Sequence, residues 1–124
     1  MTDAEILQLL IYCTTTARAQ GYKLVGGKPN ITWSDSENKW ISKNLTCSCL
    51  SAILLIGQRS PDVILARSDD LAISTLSKLI DKSASWIESF MDAYDGLPNS
   101  HTSISGHVMG FNIRKHFPPN KDLI

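Results

Sequence analysis

Residues 47–57 constrain the fold most, because they form the most apolar run in the chain and contain neither Asp nor Lys. Apolar side chains fall on almost every side of a helical wheel drawn for this run, which predicts a helix that is buried all round. The run has about half of the roughly 20 residues that a membrane span needs. We therefore expect a central core helix, capped by Thr46 or Ser48 and ended by Gly57, with the other segments packed around it.

Length and charge suit one compact cytoplasmic domain that spans residues 1–124. The chain is 43% hydrophobic, as in globular proteins, and its 12 basic residues balance its 12 acidic residues. This balance gives no global electrostatic footprint for nucleic acid or an acidic membrane, so neither is expected as a partner. The first residues are acidic where a secretory signal would be basic, and three cysteines do not make a disulfide framework.

Helical periodicity and end signals place most of the remaining elements. Thr2 and Glu5 have the spacing of a capping box, and Ser85 and Glu88 repeat it before a second apolar face. Pro118 and Pro119 would stop the last helix and leave residues 118–124 as a frayed tail. The predicted helices cover residues 2–20, about 68–80, 85–95 and 103–117, with a short element at 61–66.

A small β-hairpin is expected between the first helix and the central one. Residues 22–25 and 30–33 are short β-type runs on either side of a turn that contains Gly26 and Pro29. The predicted class is therefore mainly α, with about five helices and a hairpin near residues 22–33, or α+β if the hairpin is extended. In the last helix we expect Ile104, Val108 and Phe111 to point inward, together with Met109 and Ile113.

Gly106 and Gly110 lie four residues apart in the last predicted helix. Each costs about 1 kcal/mol relative to alanine in a helix, which indicates that their lack of a side chain has a purpose. Two glycines on one face allow another helix to approach closely. We expect that neighbour to be the small-residue face of Cys47, Ser51 and Ala52, or alternatively a second copy of the chain.

A charge split suggests a ligand-binding groove. The helix at residues 85–96 is acidic, whereas residues 107–121 are basic. Exposed ion pairs between neighbouring helices would explain the split without a function. Alternatively, Arg114 could hold a carboxylate or phosphate in a bidentate manner, and an aromatic ring could stack on the ligand. The candidate ligand-binding residues are Trp86, Tyr94, Asp95 and Arg114.

No catalytic, cofactor or metal motif is present in the sequence, and we predict no catalytic residue, metal or cofactor. Cys47-x-Cys49 is one residue short of the usual zinc spacing, so the cysteines are better explained as small core side chains. Cys13, His101, His107 and His116 remain the residues that could assemble a metal site or Cys/His chemistry in space. A helix-turn-helix is disfavoured, because its recognition helix would carry Glu88 and Asp92 but no Lys or Arg.

The C-terminal half resembles a set of small, uncharacterised bacterial proteins that are frequent in cyanobacteria. These proteins have a Cys-containing apolar helix, then Trp-x-x-x-Phe-x-x-x-x-Asp-Gly, then a helix with Gly-x-x-x-Arg. The corresponding residues here are Cys49, Trp86, Phe90, Asp95, Gly96, Gly110 and Arg114. Ser51 departs from the pattern, because a step with Pro or Gly often follows the cysteine there. The resemblance implies a small helical fold and no particular activity.

These observations lead to three functional hypotheses. The leading hypothesis is a non-enzymatic cytoplasmic protein that acts by contact with another protein or with itself, as a regulator, adaptor or inhibitor. The first alternative is a small-ligand or nucleotide-binding protein that uses a groove between Arg114 and Trp86. The second alternative is an enzyme with Cys/His chemistry.

Overall fold

A computed structural model describes residues 1–26, 29–58, 68–99 and 103–120 of the chain. Within these residues five helices and two small two-stranded sheets occur, which confirms the mainly α class. The element predicted at residues 61–66 lies outside the described residues. The helices are α1 (Asp3–Ala19), α2 (Cys49–Gly57), α3 (Ser68–Ile80), α4 (Ala84–Tyr94) and α5 (Ile104–His116).

Helix α2 forms the centre of the core, as the apolar run predicts. Every residue from Cys49 to Leu55 is buried, and α1 packs along the helix with Ile6 and Leu10 fully buried. Burial of one large aliphatic side chain contributes about 1.5–3 kcal/mol, so this contact is a main source of stability. Ser48 is the N-cap residue, and its hydroxyl accepts a hydrogen bond from the Ser51 N–H at 3.1 Å.

Capping residues determine where α1 and α4 begin. The predicted cap is correct for α1 and incorrect for α4. The capping box of Thr2 and Glu5 is confirmed at the start of α1. The predicted box of Ser85 and Glu88 is wrong, because α4 begins at Ala84. Its cap is Ser83, whose hydroxyl accepts a hydrogen bond from the Trp86 N–H at 3.1 Å. Both serines precede the same apolar face, and Ser83 has the N-cap spacing to Trp86.

The β region pairs differently from the predicted hairpin. Strand β1 (Lys23–Leu24) lies parallel to β4 (Thr46–Cys47), and β2 (Ile31–Ser34) is antiparallel to β3 (Lys39–Ser42). The predicted pairing of residues 22–25 with 30–33 is therefore wrong. The residues around Trp40 instead supply the partner strand of residues 31–34. Trp33 and Trp40 face each other across this hairpin, with ring centroids 5.5 Å apart in an edge-to-face arrangement.

The segment after α5 turns back onto the domain. The Phe117 carbonyl accepts a hydrogen bond from the Tyr94 hydroxyl at 2.6 Å, and the Asn120 N–H donates to the Leu24 carbonyl at 2.8 Å. Pro119 is buried between these two anchors. Residues 118–120 of the predicted frayed tail are thus held against β1, and residues 121–124 lie outside the described part of the chain.

Candidate functional site

Helices α4 and α5 run parallel and in register. Gly106 lies against the Trp86 carbonyl and Gly110 against the Phe90 carbonyl, and a Cβ at either glycine would come closer than 3.0 Å to the carbonyl oxygen. This spacing brings each glycine Cα–H group to a backbone carbonyl, a weak hydrogen bond that recurs between packed helices. The predicted packing role of the glycines is confirmed. Their predicted partner, the small-residue face of α2, is wrong, because they face α4.

The C-terminal end of α4 is where most of the predicted ligand-binding residues meet. The Arg114 guanidinium donates a hydrogen bond to the Tyr94 carbonyl and also packs on Gly96, which has a φ of +75°. Beside it, the Asp95 carboxylate lies so close to Gly26 that a Cβ there would be 2.6 Å from Oδ1. Arg114 therefore caps the carbonyl end of α4, where a cation is favoured by the helix dipole.

The two aromatic residues proposed to stack a ligand are part of the core. Trp86 is 3% exposed and Tyr94 is 1% exposed. The Trp86 indole N–H donates to the Ser105 hydroxyl at 2.9 Å. Eight helical residues, or about 12 Å, separate Trp86 from Tyr94 along α4. Tyr94, Asp95 and Arg114 thus lie together and Trp86 lies apart, and a ligand-binding role for these four residues stays a prediction.

All three cysteines are buried. Burial, with the neighbouring Cys49 thiol as a second cause, raises the pKa of the Cys47 thiol from its ordinary 9.0 to about 12. Burial raises the pKa of Cys49 to about 11, against the opposing effect of hydrogen bonds with Tyr94 and Thr14. At neutral pH both residues are thiols rather than the thiolates that act as nucleophiles and metal ligands. Across the described residues, no group of three His, Cys, Asp or Glu side chains is arranged to hold a metal.

The outer face of α5 carries apolar residues that the sequence pattern predicts to lie in the core. Ile104 is 76% exposed, Val108 is 52% exposed and Phe111 is 51% exposed, so the predicted inward orientation of these three residues is wrong. Met109 and Ile113, also predicted to point inward, are buried. The helix is apolar on more than one side, and close approach to α4 selects the side that carries the glycines. The side chains of Ile104, Val108 and Phe111 lie on another side of the helix and form an exposed stripe.

This stripe has the spacing of a helix–helix contact surface. Ile104, Val108, Phe111 and Lys115 are separated by four, three and four residues, which places them on one side of the helix. We call these four residues the α5 stripe. The Lys115 ammonium lies 4.6 Å from the centre of the Phe111 ring, so the stripe is apolar along most of its length and cationic at its C-terminal end.

No family model, curated protein or solved structure matches the chain. Two pairs of the residues that carry the resemblance to bacterial proteins are in contact. The Phe90 carbonyl meets Gly110, and Gly96 packs under Arg114. The motif therefore describes how α4 and α5 pack. No helix within the described residues is both long enough and apolar enough to span a membrane.

Proposed function

We propose that this is a non-enzymatic cytoplasmic protein that acts by binding another protein through the α5 stripe. The observation that carries the proposal is the exposure of Ile104, Val108 and Phe111 at helical spacing. Exposed apolar patches on soluble domains mark interaction sites, and helices recognise one another through apolar side chains at this spacing. The buried, protonated thiols of Cys47 and Cys49 favour this function over an enzyme with Cys/His chemistry.

The partner that fits the α5 stripe is a helix of a different protein. Helix α5 contains no Asp or Glu, and it ends in Arg114, Lys115 and His116. Parallel pairing with a second copy would set Lys115 against Lys115. Antiparallel pairing would set Lys115 at the positive N-terminal end of the other α5. Both arrangements are electrostatically unfavourable, whereas a partner helix with an acidic residue opposite Lys115 would pair with it.

A photo-crosslinking side chain at position 104 tests this proposal. We expect it to form an adduct, in cells of the source organism, with a protein other than this chain. Val108→Asp in the same molecule should reduce the adduct about tenfold, because a buried carboxylate would oppose the apolar contact. Adduct mass and yield are measured by mass spectrometry.

Gln8→Asp is the matched control, since Gln8 is exposed on α1. It should leave the adduct unchanged, and both Asp variants should keep the free energy of unfolding within about 0.5 kcal/mol of the parent value. An adduct of twice the chain mass would replace the foreign partner with a second copy. Equal yields from the Val108→Asp and Gln8→Asp proteins would contradict the proposed surface.

A further inference from the structure

One end of the molecule is basic, although the net charge of the chain is zero. Lys82 is paired with Asp3 at 3.2 Å and Lys39 lies 3.9 Å from Glu37. Five other exposed cations form no ion pair with any described residue: Lys78 on α3, Lys115 on α5, and three that lie on α1 and the β region. We call the last three residues, Arg18, Lys23 and Lys43, the basic end.

Backbone and ring contacts bring these elements together. Strand β1 lies between β4, where the Lys23 N–H donates to the Leu45 carbonyl at 2.9 Å, and the segment after α5, where Asn120 is bound to Leu24. The Arg18 guanidinium lies 5.9 Å from the centre of the Phe117 ring, directly after α5. Helix dipoles favour cations at the ends of α1 and α5, but they do not explain the unpaired cations Lys23 and Lys43.

Leu45, which lies beside these lysines, has a backbone conformation that is unfavourable for a residue with a bulky side chain. Asn44 and Leu45 both have a φ of +55°, and the Thr46 N–H donates to the Lys43 carbonyl at 3.1 Å, which defines a type I′ turn. Such turns favour Gly or Asn at both central positions, and a bulky residue there is an outlier. Burial of the Leu45 side chain could compensate for this strain, but Leu45 is 61% exposed and contributes little to the core.

We propose that the basic end, together with Leu45 beside its two lysines, binds an acidic segment of another protein that also carries an apolar side chain. This inference rests on the proposed function and specifies the chemistry of the protein partner. A strained residue whose side chain is largely outside the core indicates a role in recognition. The exposed apolar group is aliphatic, which suits an apolar protein side chain better than a nucleic-acid base that would stack on an aromatic ring.

A fluorescent peptide of Glu-Glu-Leu repeats is the probe, and its binding is measured by anisotropy. We expect binding that weakens as salt is raised. The double variant Lys23→Glu/Lys43→Glu should weaken it at least about tenfold. Leu45→Gly should weaken it about threefold to tenfold without lowering the melting temperature, because glycine relieves the strain. Lys78→Glu, a charge reversal of an exposed lysine on α3, is the control and should leave binding unchanged.

Any one of three results would contradict the inference. The absence of peptide binding at about 1 mM would exclude an acidic peptide as the ligand. Tighter binding of single-stranded DNA than of the peptide would assign the basic end to nucleic acid. Equal binding by the Lys23→Glu/Lys43→Glu and Lys78→Glu variants would move the contact elsewhere. Crosslinking at position 104 is a separate readout, so its failure would contradict the α5 stripe without deciding the peptide result.

Discussion

Gly110→Ala is expected to destabilise the protein by about 3 kcal/mol, although alanine is the better helix former by about 1 kcal/mol. The added Cβ would lie closer than 3.0 Å to the Phe90 carbonyl oxygen. The obstacle belongs to the backbone of α4, which cannot rotate away as a flexible side chain can. The two helices would have to separate, and Phe90, which is 1% exposed, would lose part of its packing. Denaturant unfolding, with the midpoint and slope fitted together, measures the change.

Gly57→Ala supplies the matched control for this substitution. Gly57 is also the glycine of a helix, but among the described residues outside its own helix and chain neighbours, none has a heavy atom within 4 Å of an added Cβ. We expect this variant to be neutral or more stable by up to about 1 kcal/mol, because only helix propensity and the entropy of the unfolded chain change. If the Gly57→Ala and Gly110→Ala proteins lost similar stability, close approach of α4 and α5 would not be the cause. Gly106→Ala should behave like Gly110→Ala, since it meets the Trp86 carbonyl in the same way.

The sequence predicts the elements of this fold because their determinants are local. The box of Thr2 and Glu5 lies within one helical turn, so its hydrogen bonds depend on no other element. The all-round apolar character of residues 47–57 is sufficient to predict a buried helix. Ser103, the predicted start of the last helix, is its N-cap, and its hydroxyl accepts a hydrogen bond from the Gly106 N–H at 3.2 Å.

Pairing between distant segments is not encoded in these local signals. Strand β1 pairs with β4, more than twenty residues later, and neither two-residue strand has a period that identifies its partner. Helix α5 raises the same difficulty, because both Ile113 and Val108 fit an apolar face. Only contact between Gly110 and α4 decides that Ile113 is buried and Val108 exposed.

The candidate interaction residues were missed for the same reason. The sequence predicts Val108 and Phe111 in the core, because apolar residues at helical spacing usually lie there. The signal that could have corrected this was the pair of glycines, which marks the inner face on the other side of the helix. No sequence signal identifies Leu45 as a turn residue with positive φ, because leucine is rare in that conformation.

The stability of the protein is expected to fall steeply above pH 9 because of its buried thiols. In the unfolded chain a cysteine loses its proton near its ordinary pKa of 9.0, whereas in the folded protein burial raises the pKa of Cys49 to about 11 and of Cys47 to about 12. Between these values the folded state binds more protons than the unfolded state, so the free energy of unfolding decreases as the pH rises. Below pH 9 the contribution of the thiols is fully present.

Each thiol should remove at most about 1.4 kcal/mol of stability per pH unit, and less close to either pKa, so both together remove about 4 kcal/mol between pH 9 and pH 11. That loss is a large part of the total stability of a domain of this size, about 5–15 kcal/mol. The readout is the difference in slope between the parent and Cys47→Ala/Cys49→Ala, because the two proteins differ only in these thiols. We expect the double variant to start less stable, because its core loses two sulfur atoms, but to lose stability more slowly as the pH rises from 9 to 11. The free energy of unfolding is measured by urea unfolding across this pH range. If it fell equally fast for the parent and the double variant, the thiols would have the same pKa in the folded and unfolded states. That result would contradict their burial as protonated groups.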